Sequence, residues 1–471
     1  MTFTGAGLGA AALGFGPLRV LGQAGRTGAP AATIGERTVR PNILHIMTDD
    51  QDYQSWAEQF TRLDAKGKVL VDEHGEPLRG YAMPFLRSMP RGGWCDFTQN
   101  TCTSAICAPS RAGLLTGVPA RENGVIRNGG IDNLDEGNTL PVWLAAAGYK
   151  TYLLGKYSFG RRARGRQQPP GWTKFHGRGG LAKWVFSAGA ERIYEMAEDS
   201  SPWALFLWPT DPHLRAKPLP QNARVNLMPP PLPANVNEAD VSDKPSWLRN
   251  TRPISDGKLS GAMKERVRFY QALMGVDQGI ESVFKALIDT GQLDNTIIVV
   301  TSDNGYSWGS HRQLNKDMIY DEASRVPLVI RLPWLTANRL EERVVSQLDV
   351  TATIVEATGA TPGRPLLGHS LLTLMEEPAT PWEGVAYIES HGSSGPRSQL
   401  RPAFRGLRTG GDEWGHFSYA EHPETGEVEL YDRVADPAQL NNVAWQPEYA
   451  DIQSALAARL GAILARPGYS G

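Results

Sequence analysis

The sequence predicts an α/β protein in two parts. A large, mainly parallel sheet sandwiched by helices comes first, then a smaller C-terminal α+β subdomain with an antiparallel sheet. Three observations predict this. Continuous apolar runs of strand length, such as Pro41–Met47 and Trp203–Trp208, lack the polar alternation of a half-exposed strand, as expected when both faces are covered. These runs alternate with helical segments. After about Gly368 the runs shorten and turn residues crowd between them, which marks antiparallel strands.

In chain order, Pro41–Met47 is the first strand and ends in Thr48-Asp49-Asp50-Gln51-Asp52. Thr139-Leu140-Pro141 starts a helix that Gly148 stops, with proline in the first turn and glycine past the end. Tyr149–Leu154 is the next strand and delivers Gly155-Lys156-Tyr157; Trp203–Trp208 delivers Asp211-Pro212-His213. Between Met263 and Thr290, Val267, Tyr270, Leu273, Met274, Val276, Ile280, Val283, Phe284 and Leu287 recur mostly at helical spacing. Thr296–Thr301 is a strand ending in Ser302-Asp303-Asn304-Gly305, Val326–Leu332 is another, and Gln347–Thr358 is a helix. Lys217–Pro253, rich in Pro, Asn and Asp, reads as a long surface loop near the site. The C-terminal runs are Val385–Glu389, Arg405–Arg408, Trp414–Ala420 and Glu427–Tyr431, followed by an amphipathic helix carrying Ile452, Leu456, Leu460 and Ile463. The expected boundaries are therefore 1–38 for an export signal or tail, 39–368 for the catalytic domain and 369–471 for the C-terminal subdomain.

Composition excludes several classes. A net charge of −2 over 471 residues, with no long run of one sign, gives no footprint for nucleic acid or an anionic membrane surface. No apolar stretch is long enough for a transmembrane helix. The three cysteines lie between Cys95 and Cys107, so there is no disulfide framework, although a Cys95–Cys102 pair stays open. Gly5–Gly16 has the weak hydrophobicity of an export core, and Ala29-Pro30-Ala31 suits a cleavage site, but the preceding basic segment is missing. Both an export signal, placing the protein in the periplasm or outside the cell, and a simple Gly/Ala tail in a cytoplasmic protein fit.

The chemistry centres on Cys102–Gly117. Pro109, Ser110 and Arg111 open a helix with Ala112, Leu114 and Leu115 on its apolar face and Gly117 as its stop. Cys107 thus stands where backbone N–H groups and the positive helix end favour an anion, and Arg111 adds a cationic fork suited to tetrahedral oxyanions. A buried cysteine at a helix start is the bland alternative. Asp49, Asp50, Asp303 and Asn304 sit at two strand ends and together form a hard, all-oxygen set suited to Ca²⁺ or Mg²⁺. Taken singly, each pair is also a good turn sequence. Lys156, Lys316 and His213 follow strand ends in the same way and are otherwise surface groups. His45 reads as a core histidine, whereas His74, His369, His391, His416 and His422 read as surface or loop residues. His176, soon after Gly171-Trp172, is a candidate to line the site.

Cys107-Ala108-Pro109-Ser110-Arg111 followed by Leu115-Thr116-Gly117 resembles the signature of the type I sulfatases, members of the alkaline-phosphatase-like superfamily. The other motifs fall in that family's order over about residues 40–360. Glu429-Leu430-Tyr431-Asp432 with Asp436-Pro437 is similar to its C-terminal motif. The resemblance implies a sulfuric ester hydrolase whose Cys107 is oxidised to formylglycine by a formylglycine-generating enzyme. It assigns the cation, Ca²⁺ with Mg²⁺ as the alternative, to Asp49, Asp50, Asp303, Asn304 and the converted Cys107. Arg111, Lys156, His213 and Lys316 are implied to surround the sulfate and the nucleophile, with His213 or Lys316 protonating the leaving alcohol. One departure stands out: many members read Gly-Lys-Trp-His where this chain has Gly155-Lys156-Tyr157-Ser158. Ser158 replaces the histidine assigned to the step that expels sulfate, leaving His311 or water as substitutes.

The Gly-Lys-Tyr form, Thr48–Asp52, Pro170-Gly171-Trp172, Ser302–Tyr306 and the spacing from Lys316 to Tyr320 to Val326-Pro327 resemble the N-acetylglucosamine-6-sulfatase branch. That implies a glycan sulfate ester, with a 6-O-sulfated hexosamine favoured. Two alternatives remain at this level: a phosphonate or phosphate ester hydrolase on the same scaffold, and a glycan-binding protein with Cys107 unconverted.

Overall fold

The computed structural model describes residues 40–157, 168–392, 401–411 and 413–466. From Arg40 onward the chain forms one compact unit. Its centre is an eight-stranded sheet in the order Arg339–Glu341, Trp94–Phe97, Leu328–Arg331, Thr296–Ser302, Asn42–Thr48, Trp203–Trp208, Lys150–Gly155 and Lys174–His176. The last five strands of that order are mutually parallel. Their carboxyl ends therefore share one edge, where Thr48, Trp208, Gly155 and Ser302 hand the chain to the polar motifs. Leu328–Arg331 runs against both of its neighbours, so the sheet is mixed at that side.

Burial accounts for the unbroken apolar runs: every residue of Asn42–Thr48, Trp203–Trp208 and Thr296–Ser302 is buried. Alternation then sorts their side chains between the two faces. Leu44, Ile46, Leu205, Leu207, Ile298 and Val300 join one core with the helices Ala182–Met196 and Asp256–Asp289. The two helices cross closely at Gly279, where a Cβ would come within 2.2 Å of Phe186. On the opposite face His45 and Trp208 meet Arg111 of the helix Cys107–Thr116, which packs in turn on Gln347–Thr358.

The C-terminal strands Val385–Ser390, Phe404–Thr409, Phe417–His422 and Glu427–Asp432 form a sequential antiparallel sheet. Leu456, Leu460 and Ile463 of the terminal helix Ala450–Leu464 cover one face. Ile388, Phe404, Ala420 and Tyr431 pack against Cys102, Ala105, Met318 and Tyr320. This sheet therefore supports the two loops that carry Cys107 and Lys316, and packing is continuous across the pattern change near Gly368.

Three expectations are corrected. Lys217–Pro253 is more than a surface loop: it contains the strand Leu227–Met228 and the short helix Ser246–Arg249, and it buries Asn235, Glu238, Lys244 and Leu248. Its polar residues go inside because they pair, Lys244 Nζ with Glu238 Oε1 at 3.2 Å. Cys95 and Cys102 are both free, held apart in a strand and a buried loop. His422 is buried rather than superficial, because Glu429 Oε1 lies 2.8 Å from its Nε2. Residues 1–38, expected to be an export signal or a tail, lie outside the described residues.

Candidate active site

At the carboxyl edge of the sheet, residues far apart in sequence converge in a buried cluster. The helix Cys107–Thr116 begins at Cys107, and all ten of its residues are buried. Ile106 supplies no side-chain cap; Asn128 Oδ1 instead accepts from Ala108 N at 2.9 Å. Pro109 falls in the first turn, where a missing N–H costs nothing. Gly117 closes the helix at φ 66, a left-handed conformation that favours glycine. Ser110 Oγ reaches the Asp303 carbonyl and Gln347 Oε1, tying the helix start to the end of the Thr296–Ser302 strand.

Cys107 Sγ lies 2.9 Å from Lys316 Nζ, 3.4 Å from Asp49 Oδ1 and 3.8 Å from Asp50 Oδ1. Lys316 Nζ also pairs with Asp50 Oδ1, and Lys156 Nζ stands 2.5 Å from Asp49 Oδ2. Arg111, wholly buried, gives Nε to Asp303 Oδ2 at 2.8 Å and Nη1 to the Lys156 carbonyl at 2.6 Å. Three carboxylates, Asp49, Asp50 and Asp303, thus face three cations, Arg111, Lys156 and Lys316. His213 stands at the more open rim, with Nε2 3.5 Å from Asp50 Oδ2.

Burial and charge act in opposite directions here. Burial disfavours an ionised Asp49, but Lys156 and then Arg111 outweigh it and hold the carboxyl below its usual range. Burial likewise opposes a charged Lys316, yet Asp50 foremost keeps its ammonium well above the ordinary value. Burial, reinforced by Asp303, pushes the Cys107 thiol strongly up. Burial and Asp303 thus favour the neutral thiol of a genetically encoded cysteine over the thiolate, which is the nucleophilic form. Burial lowers His45 to about 3, so its neutral ring accepts at Nδ1 from Trp208 Nε1 at 3.0 Å. That bond fixes the indole on which Arg111 rests, 5.4 Å from the ring centre.

The donor set fits a hard cation. Asp50 Oδ2 and Asn304 Oδ1 are buried without a hydrogen-bond partner, although Asn304 Nδ2 donates to Asp50 Oδ1 at 2.7 Å. Buried oxygens left without donors are costly unless something else satisfies them. Ligand atoms of Asp49, Asp50, Cys107 and His213 all lie within 4.8 Å of one another. Asp303 lies a step back: its Oδ1 accepts from Asp50 N and Asn304 N, and its Oδ2 takes Arg111. Asp50 holds its place at φ 67, a strained conformation for a residue with a Cβ.

The structure thus brings together Asp49, Asp50, Cys107, Arg111, Lys156, His213, Asp303, Asn304 and Lys316. It does not bring His311 to the reacting centre as an available base. His311 is fully buried, with Nδ1 2.7 Å from Glu238 Oε2, Nε2 3.1 Å from Asn235 Nδ2 and its ring stacked on Tyr320 at 3.9 Å. Both nitrogens are engaged, so that expectation is corrected. His176 is exposed at the end of its strand, edge-on to Trp184 at 6.3 Å. Ser158 lies outside the described residues. Sequence reasoning missed Asn128, Gln347 and Asp211, whose carbonyl accepts from Asp49 N at 3.1 Å. Only the Asp211-Pro212-His213 turn gave any signal for them.

Residues 41–360 match the family model described as sulfatase, and residues 309–466 match that of the C-terminal region of N-sulphoglucosamine sulphohydrolase. An N-acetylglucosamine-6-O-sulfatase of Bacteroides thetaiotaomicron is 26% identical, over 89% of this chain and 86% of its own. A protein solved in complex with its substrate D-glucosamine-2-N,6-O-disulfate superposes with a TM-score of 0.70 at 22% identity, covering 92% of this chain and 100% of the other. A phosphonate monoester hydrolase of Agrobacterium radiobacter gives 0.67 at 22% identity, covering 90% and 96%. At such identities the two structural likenesses speak to the fold alone.

Proposed function

This chain belongs to the sulfatase family, and we propose that within it the protein removes the sulfate of a 6-O-sulfated hexosamine in a glycan. It is a sulfuric ester hydrolase. The observation that carries the reading is the position of Cys107 Sγ, at a helix start and between Lys316 Nζ and Asp49 Oδ1. The hexosamine is supported by what the Bacteroides relative is named for and by the disulfated glucosamine bound in the structural neighbour. The phosphonate hydrolase shares the scaffold, and nothing in the charge-neutralising pocket favours phosphorus over sulfur.

Conversion of Cys107 to formylglycine by a formylglycine-generating enzyme supplies, as an aldehyde hydrate, the oxygen nucleophile that a high-pKa thiol does not. A divalent cation, Ca²⁺ with Mg²⁺ as the alternative, supplies Lewis-acid polarisation when held by Asp49, Asp50, Asp303 and Asn304. The remaining work falls to side chains already in place. Arg111, Lys156 and Lys316 neutralise the sulfate oxygens from fixed positions, the kind of pre-set charge that stabilises a transition state most. Lys316, in contact with the Cys107 position, and His213, at the rim, are the two groups able to protonate the departing sugar oxygen. His213 has the better access, because its side chain is 39% exposed while that of Lys316 is 10% exposed. Export from the cytoplasm is supported by the Gly5–Gly16 segment.

The test is mass spectrometry of the Cys107 peptide from protein made with a formylglycine-generating enzyme, together with sulfate release from 6-O-sulfated N-acetylglucosamine. An aldehyde at position 107 with turnover is the expected result. A persistently alkylatable Cys107 in the native host, with no sulfate released, overturns it.

A further inference from the structure

Trp184 is a large exposed aromatic that the site described above does not use. It is 45% exposed, and its neighbour Leu181 is 43% exposed, on the first turn of the helix Ala182–Met196 and just before it. The indole is held in place. Its six-membered ring rests on the Gly180 main chain so closely that a Cβ there would come within 2.6 Å of it. The His176 ring meets it edge-on. A tryptophan seated on backbone and flanked by a second ring presents an ordered plate to solvent.

The plate is joined to the catalytic segments. Gly179 N donates to the Gly155 carbonyl at 2.8 Å, and Arg178 bridges the Lys156 main chain. Thr210 N donates to the Gly180 carbonyl at 2.8 Å, and Asp211 Oδ2 accepts from Ala182 N at 2.6 Å. The Asp211 carbonyl in turn takes Asp49 N. The turn before the plate is therefore hydrogen-bonded to the segments that deliver Lys156, His213 and, through Asp211, Asp49.

The geometry points to a sugar-binding subsite on Trp184, beside the sulfate pocket, that stacks a pyranose ring adjoining the sulfated residue. This rests on the sulfatase reading and extends it: the substrate is an oligosaccharide rather than a single sugar. An aromatic face is negative, and the C–H face of a pyranose is its positive complement. The polar His176 ring is at hand for hydroxyl groups. A protein partner is disfavoured by size, since a stable protein interface buries over about 1,000 Å² in total and two side chains do not approach that.

The test compares wild type, Trp184→Ala and Trp184→Phe on 4-nitrophenyl sulfate and on a tetrasaccharide ending in 6-O-sulfated N-acetylglucosamine. The ratio of kcat/KM for tetrasaccharide over aryl sulfate is expected to fall about tenfold in Trp184→Ala, chiefly through KM, and to recover largely in Trp184→Phe. An unchanged ratio overturns the subsite. Wild type inactive on both substrates overturns the sulfatase reading instead. The subsite is then read by calorimetric binding of the same tetrasaccharide in a Cys107→Ala background: about tenfold weaker binding without Trp184 supports it, and equal binding overturns it.

Discussion

Two buried clusters of charge in this molecule look alike in composition and differ in how they are closed. In the C-terminal sheet, Glu429 is buried with both oxygens spoken for: Oε1 faces His422 Nε2 at 2.8 Å, and Oε2 accepts from Tyr320 at 2.6 Å and Tyr431 at 2.7 Å. At the edge of the large sheet, Asp50 Oδ2 and Asn304 Oδ1 are equally buried and form no hydrogen bond, with His213 Nε2 standing 3.5 Å from the former. The first carboxylate is satisfied from within and serves packing. The second set holds oxygens of the kind a hard cation takes as ligands. Buried charge by itself marks neither role; the two differ in whether the carboxylate's own oxygens are hydrogen-bonded within the protein.

The contrast breaks most sharply at Cys107. Cys107→Ala is expected to lower sulfate release on the order of a thousandfold or more while the melting temperature moves little, checked by ion chromatography and a thermal melt. Glu429→Gln is expected to do the reverse. It leaves His422 facing a neutral amide in the core and costs about 3 kcal/mol of stability, read by urea denaturation, with kcat/KM retained. A variant that lost activity in proportion to stability would erase the distinction.

The pH dependence sharpens it. Burial opposes ionisation of Glu429, but its bond with His422 and the two tyrosines hold the carboxyl below its ordinary value. Its stabilisation is present above the unfolded value and is lost as pH falls through the folded one. Burial also opposes a charged His422, and Glu429 outweighs it, raising the imidazole. That contribution is complete below the unfolded histidine value and is lost as pH rises through the folded one. The pair therefore stabilises most in the mildly acidic window between about 4.5 and about 6.5. The gap in melting temperature between wild type and Glu429→Gln should be widest there and narrow as pH rises through the raised value of His422. The smallest effect is Tyr431→Phe, which removes one of three donors to Glu429 and should cost about 1 kcal/mol with no change in turnover.

By itself the sequence determined the layers and the position of the chemistry. Continuous apolar runs can be satisfied only by strands covered on both faces, and the polar motif that follows each run must lie where that strand ends. Trp203–Trp208 and Gln347–Thr358 stand as expected, and the four C-terminal strands within a few residues. Other features have no local signal. The reversed direction of Leu328–Arg331 is set by its neighbours in the sheet, because an apolar run reads the same in either direction. The buried course of Lys217–Pro253 depends on partners such as His311 and Glu322, which Asn235 and Glu238 meet only in the folded chain. The same holds within the site. Arg111 and Asp303 are separated by 192 residues, Asp49 and Lys156 by 107, and their charges balance only once the strands are in register. Which oxygens remain open, and which histidine is sealed away, is decided by that packing, because hydrogen-bond satisfaction is a property of neighbours in space and not of neighbours in sequence.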